Sequence, residues 1–244
     1  MTYLNDLPLK RVNFFVTSSY PCSYLPGRMA RSLVATPSHA VDTHAYGELI
    51  DKGFRRSGMY TYRPQCDFCR ACIPMRVLTH EFKPNRSHRR TLKKNENLTV
   101  KLKGLSFDAE HFSLYERYQK ARHQEDGDSS IAEQYQQFLL RSNVNSILAE
   151  FREGDMVRIV SLIDRIENGL SAVYTFYDPH LPERGLGTYA ILWQIAQCKS
   201  LGLPYLYLGY WIKESAKMAY KIRFTPLEIF TQGSWRLFAL PLHD

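Results

Sequence analysis

Three cysteines fall in one short run, Cys66-Asp-Phe-Cys69-Arg-Ala-Cys72, and a fourth, Cys22, stands far upstream. Two-residue spacers let thiolates turn toward one centre. Cys66, Cys69 and Cys72, with Cys22 as a fourth ligand, are therefore candidates for a zinc ion or an iron–sulfur cluster. Buried free thiols packed as small apolar groups are the alternative. The fifth cysteine, Cys198, shares a helical face with Ile191 and Ile195 and reads as core. Around the cysteines lie Arg28, Arg31, Arg55, Arg56 and Arg76. Their planar forks suit an anionic substrate, a carboxylate above all. From Lys83 to Lys103 the chain carries eight bases, Arg89, Arg90 and Lys93 among them, against the single acid Glu96. That density suits a phosphate backbone, with a solvated surface face as the plainer reading. Lys217 and Lys221, four residues apart, are expected on one helical face as further phosphate contacts. The segment from Tyr207 to Pro226 mixes aromatics with bases, a composition that can stack on nucleotides and pair with phosphate.

These residues sit in a basic chain of 244 residues, with 32 Lys and Arg against 24 Asp and Glu, a net charge of +8. Hydrophobic residues make up 44%, enough for a real core. No stretch approaches the roughly 18 apolar residues that a bilayer span needs. The first residues, Met1 to Asp6, lack the pattern of a signal peptide. A cytoplasmic location with no membrane partner is expected, and a reducing cytosol favours metal-binding or redox roles for clustered cysteines over disulfides.

The elements that must position these groups divide near residue 105. Residues 1–105 are rich in Arg, Tyr, Pro and Cys, and predict a smaller Cys/Arg-rich N-terminal domain. There the pattern predicts a helix from Ala45 closed by Gly53, a strand over 75–82, a helix from a Ser87 cap to Asn95, and a strand over 98–102. Residues 106–244 are more regular. Helices are predicted over 108–123 and 131–141, separated by a loop over 125–130. Strands over 146–152, 156–167 and 170–177 are joined by hairpin turns at Glu153-Gly154-Asp155 and Asn168-Gly169. Gly185-Leu186-Gly187 opens a helix reaching Leu201. A buried strand over 203–208, a helix over 214–221 and strands over 225–230 and 235–240 follow. The fold class is α+β or α/β, and the element order resembles a GNAT-like acyltransferase domain. In such proteins a glycine-rich turn before a long helix binds the pyrophosphate of coenzyme A, but Pro182 replaces the usual polar residue ahead of Gly185.

Four blocks together resemble the arginyl/leucyl-tRNA–protein transferase family. They are Pro21-Cys22-Ser23-Tyr24-Leu25 through Arg31; Gly53-Phe54-Arg55-Arg56-Ser57-Gly58 through Tyr62-Arg63-Pro64 to Cys72-Ile73-Pro74; Ser171-Ala172-Val173-Tyr174 through Tyr177-Asp178-Pro179 with Leu186-Gly187; and Gly209-Tyr210-Trp211 through Phe224-Thr225-Pro226. The compact length, and Leu25 where eukaryotic members carry a second cysteine, resemble the bacterial aspartate/glutamate leucyltransferase branch. The resemblance implies transfer of leucine from leucyl-tRNA to the α-amine of proteins beginning with Asp or Glu, which marks them for degradation. It requires no cofactor for the chemistry.

An α-amine with a pKa of about 7.7–8.0 is substantially neutral without a strong base. Positioning against an activated ester, oxyanion donors and a modest proton acceptor then suffice. By their place at strand ends of the GNAT-like domain, Tyr174 and Tyr210 are the expected oxyanion donors, and Asp178 and Glu214 the expected proton acceptors. An arginyl-tRNA donor, a coenzyme A acetyltransferase and a non-enzymatic RNA-binding protein are the competing readings.

Overall fold

The computed structural model describes residues 12–122 and 131–239. The loop expected over 125–130 and the end of the last expected strand, Leu240, lie outside them. The strands of the first half are β1 (Asn13–Val16), β2 (Tyr20–Pro21), β3 (Met29–Ala30), β4 (Ser32–Thr36), β5 (Arg55–Ser57), β6 (Tyr60–Pro64) and β7 (Ile73–Leu78), with helices α1 (Thr43–Asp51) and α2 (Arg86–Lys94). Then come β8 (Thr99–Lys103), α3 (Ala109–Arg122), α4 (Ile131–Leu139), β9 (Ser146–Glu153), β10 (Met156–Ile166) and β11 (Gly169–Tyr177). Helix α5 (Leu186–Ser200), β12 (Tyr205–Trp211), β13 (Leu227–Thr231) and β14 (Ser234–Leu237) complete the order.

The chain folds as a mixed α/β protein around an eight-stranded sheet in the order β14-β13-β7-β12-β11-β10-β9-β8. Tight turns set the meander β9-β10-β11, where Gly154 takes a left-handed φ of 57° that a side chain resists. The pair β11–β12 is parallel, and the other pairings in this sheet are antiparallel. A smaller antiparallel sheet, β1-β4-β6-β5, carries the cysteine- and arginine-rich segments. The break at residue 105 does not separate the sheets. Both β7 and β8 come from before it and pair within the large sheet, β7 between β12 and β13.

Alternation along the central strands sends side chains to two cores. On one face Ala149, Phe151, Ile159 and Ile163 pack with Leu186, Ala190, Leu192 and Ile195 of α5. On the other, Leu148, Val160, Leu162 and Phe176 pack with Leu114 and Tyr115 of α3 and Tyr135 and Leu139 of α4. Further along that second face, Tyr46, Leu49 and Ile50 of α1 join Ala35, Phe54, Ile166 and Tyr207, which fastens the small sheet to the large one. Each buried Leu, Ile, Val or Phe side chain among them contributes about 1.5–3 kcal/mol. Among the described residues no helix is long and apolar enough to cross a membrane.

Two local expectations change. The cap of α2 is Asn85, whose side chain accepts from His88 N, rather than Ser87. The helix expected over 214–221 is replaced by turns and a short 3-10 helix, Ala219–Arg223. The carbonyl of buried Ser215 accepts from the backbone N–H of Met218 and Ala219, which closes a turn that no continuous helix follows.

Candidate functional site

Strands β11 and β12 pair over only three positions, Gly169–Ser171 against Tyr205–Tyr207, and then part. Beyond Ser171, β11 follows β10, while β12 follows β7 as far as Trp211 opposite Ile73. Arg55, at the start of β5, enters the gap from the small sheet. Its guanidinium donates to Ser171 Oγ at 3.2 Å and to Ala172 O at 2.8 Å, satisfying a carbonyl that β12 leaves unpaired. Opposite it stands Gly209, with a left-handed φ of 78°; a Cβ there would lie 3.1 Å from the guanidinium. The glycine thus serves both a backbone conformation and a close approach.

Tyr210, next on β12, is buried and donates its hydroxyl to Gly53 O at 3.0 Å and Tyr62 O at 3.3 Å. Burial pushes its phenol well above the ordinary value, with Tyr62 adding to the rise. Lys221 folds back from the 3-10 helix, and its ammonium donates to Tyr210 O at 2.6 Å. Burial lowers its pKa to about 7, helped by Arg55 and opposed by Cys72. Lys221 therefore does not share a surface with Lys217. The missing helix turns it inward, toward the edge of β12, while Lys217 stays exposed.

Tyr210 also borders a cavity of about 500 Å³ between the small sheet and the β2–β3 turn. Tyr20, Tyr24, Leu25, Met29, Val34 and Tyr62 give it an apolar lining, and Arg28 and Arg31 contribute bases. Among the described residues no Asp or Glu lines it. Cys22, Cys66, Cys69 and Cys72 all line it, which unites the upstream cysteine with the run. Burial pushes the Cys72 thiol up to about 12, with Cys66, Cys22 and Cys69 adding to the rise and Lys221 opposing it. Among the described residues no three of these sulfurs lie within 4.8 Å of one another. A tetrahedral zinc with bonds of about 2.3 Å draws its sulfurs closer than that. As placed, the four cysteines do not form a closed zinc site.

The other expected anion-binding arginines already have partners. Arg56 holds Asp164 through two bonds of 2.7 and 2.5 Å, both side chains buried. Arg76 bridges Asp51 at 3.1 Å and Glu228 at 2.8 Å and lies over the Tyr205 ring at 3.5 Å. Arg31 contacts Asp67 at 3.1 Å, and exposed Arg28 donates to Cys69 Sγ at 3.5 Å. Asp178 is likewise engaged: Arg158 donates to it at 2.6 Å, and its other oxygen accepts from His180 N. Tyr174 packs edge-on against Tyr115, Tyr118 and Phe138. Glu214 is exposed on the turn leaving β12. On α2, Arg89, Arg90 and Lys93 are all exposed, and Arg89 donates to Pro84 O at 2.7 Å.

The Gly185-Leu186-Gly187 turn is a packing device. Gly185 has a φ of 64° and faces Thr91 of α2, while a Cβ on Gly187 would lie 2.9 Å from the Tyr177 ring. Asn95 and Lys94 donate to the carbonyls of Arg184 and Glu183, so α2 lies across the start of α5. Sequence reasoning missed two features: that Arg55 enters a gap in the large sheet, and that Lys221 is buried. The basic residues of 53–56 and the glycine at 209 were the available signals, but their meeting is set by tertiary packing.

Fold and site together define a mixed α/β protein whose central sheet opens beside an apolar, acid-free cavity. Residues 20–90 match the family description "Arginine-tRNA-protein transferase, N terminus" and residues 110–231 its "C terminus" counterpart. The chain belongs to the arginine-tRNA-protein transferase family. It is 55% identical to the aspartate/glutamate leucyltransferase of Thiobacillus denitrificans over 94% of this chain and 96% of that one. It is 53% identical to the protein of the same name from Nitrosospira multiformis, over 97% of this chain and 95% of the relative. Among solved structures, the C-terminal domain of a putative lysylphosphatidylglycerol synthetase from Agrobacterium fabrum aligns with a TM-score of 0.45 at 11% identity, over 58% of this chain and 47% of that one.

Proposed function

We propose that the chain is a cytoplasmic enzyme that transfers leucine from leucyl-tRNA to the α-amine of proteins beginning with Asp or Glu, marking them for degradation. The observation that carries this reading is the cavity beside the parted strands, apolar and without an acidic lining residue. An apolar acyl group gains by entering such a lining. An arginyl group would bring a guanidinium beside Arg28 and Arg31, where the neighbouring carboxylate, Asp67, is already engaged by Arg31. The names borne by the two relatives described above agree with this donor and these acceptors. The sheet with its parted parallel strands is read as GNAT-like, with acyl donor and amine meeting at the opening.

In the reaction the neutral α-amine attacks the ester carbonyl of leucyl-tRNA. A C–N bond forms, the ester C–O bond breaks, and the tRNA leaves with its terminal hydroxyl restored. Holding amine and ester together supplies much of the rate. The amine's proton is assigned to Glu214, because Arg158 already engages Asp178, and Glu214 then returns it to the departing tRNA oxygen. The exposed bases Arg89, Arg90 and Lys93 of α2, with Lys217, hold tRNA phosphates. A metal on the four cysteines would brace the wall of the cavity. No step of the transfer depends on it. The test is incubation with charged leucyl-tRNA and an Asp-initiated peptide. Leucylated peptide is expected, and its absence with folded protein and intact donor would sink the reading.

A further inference from the structure

Four basic side chains are buried among the described residues: Arg55, Arg56, Arg76 and Lys221. Two of them sit on carboxylates, Arg56 on Asp164 and Arg76 on Asp51 and Glu228. The other two do not. Among the described residues Arg55 donates only to a serine hydroxyl and a backbone carbonyl, and Lys221 only to the carbonyl of Tyr210. A buried cation without a counter-charge is costly, and a folded protein ordinarily supplies the acid. Here the two unmatched cations belong to one place. Arg55 is tied to the edge of β11 where it leaves β12, and Lys221 to the edge of β12 just past Gly209. They act on each other through space: Arg55 helps to hold down the pKa of Lys221. The neighbouring cavity, bordered by Tyr210 and Cys72, supplies no acid either.

We propose that the gap between β11 and β12 is a carboxylate-binding site, in which Arg55 and Lys221 together take the side chain of the acidic residue at the acceptor's N-terminus. The inference rests on the leucyltransferase reading for the identity of the anion, and on the geometry for its place. Both cations lack an acid that an incoming carboxylate would supply, and the planar Arg55 fork suits a carboxylate's two oxygens. An amide of the same shape carries no charge to neutralise them, so Asn should be discriminated from Asp at this position.

The binding measurement needs no tRNA, and a leucyl-transfer assay on the same peptides accompanies it. Fluorescent peptides identical except for Asp or Asn at the N-terminus are titrated against the full chain, and binding is followed by anisotropy. The wild type should prefer the Asp peptide by about tenfold or more, the range of a charge-assisted pair. Arg55→Gln should reduce that preference toward one. Lys221→Met should act in the same direction and stands in if Arg55→Gln fails to fold. A wild type indifferent to Asp and Asn, or a preference retained in both variants, would overturn the site. A preference that depends on both residues in a protein that transfers no leucine would keep the site and overturn the donor reading. Equal leucyl transfer to both peptides would do the reverse.

Discussion

The Arg55 guanidinium occupies the space in which Gly209 would carry a side chain: a Cβ there would stand 3.1 Å from its carbon and nitrogens. Gly209→Ala must therefore shift Arg55 as well as hold a φ of 78° that alanine resists. The conformational cost alone is about 1–2 kcal/mol. The expected outcome is a lower melting temperature together with a loss of transfer to acidic acceptors that exceeds the loss of leucyl-tRNA binding.

The Arg56–Asp164 pair is structural. Asp164→Ala leaves a buried guanidinium uncompensated and should cost about 3–5 kcal/mol in urea unfolding. The double variant Arg56→Met with Asp164→Leu should be less destabilised than Asp164→Ala, because neither charge is then stranded.

Lys221 makes stability depend on pH in a defined direction. Its folded pKa lies at about 7, below the ordinary 10.5. Between these values the unfolded chain binds more protons than the folded one, so stability rises with pH across that window. Below pH 7 both states are protonated and the burial penalty is present in full. Lys221→Met should therefore be more stable than the wild type at about pH 6, with the advantage fading as pH rises towards about 10.5. Thermal melts at a series of pH values measure this.

Replacing Arg89, Arg90 and Lys93 together by Ala should weaken binding of leucyl-tRNA. The slope of log affinity against log salt should fall by about one for each phosphate that is no longer neutralised. Peptide binding should be unaffected, because the three side chains are exposed on α2 and none of them bonds to Arg55 or Lys221.

Local pattern made the second half of the chain readable. Turn residues at Gly154 and Gly169 define the hairpins of the meander, and the run 186–200 gives α5. The first half resisted because its strands are short and pair at long range. Strand β7, expected within a separate domain, lies between β12 and β13, partners more than a hundred residues away in sequence. The arginines were legible as a group, yet their ranking was not. Whether a carboxylate lies opposite Arg55, Arg56 or Arg76 depends on which strand carries Asp164 or Glu228 past them. Lys221 was misplaced for a related reason: a four-residue spacing from Lys217 implies one face only if a helix forms, and here the chain turns.

The central claim is that an apolar donor group meets an acidic acceptor at the opening of the sheet. Its most direct test is a side-by-side assay in which the protein receives leucyl-tRNA or arginyl-tRNA with a peptide beginning with Asp. The account predicts leucylated peptide in the first reaction and little or no arginylated peptide in the second. Arginine transferred as readily as leucine, or no transfer from either donor, would contradict it.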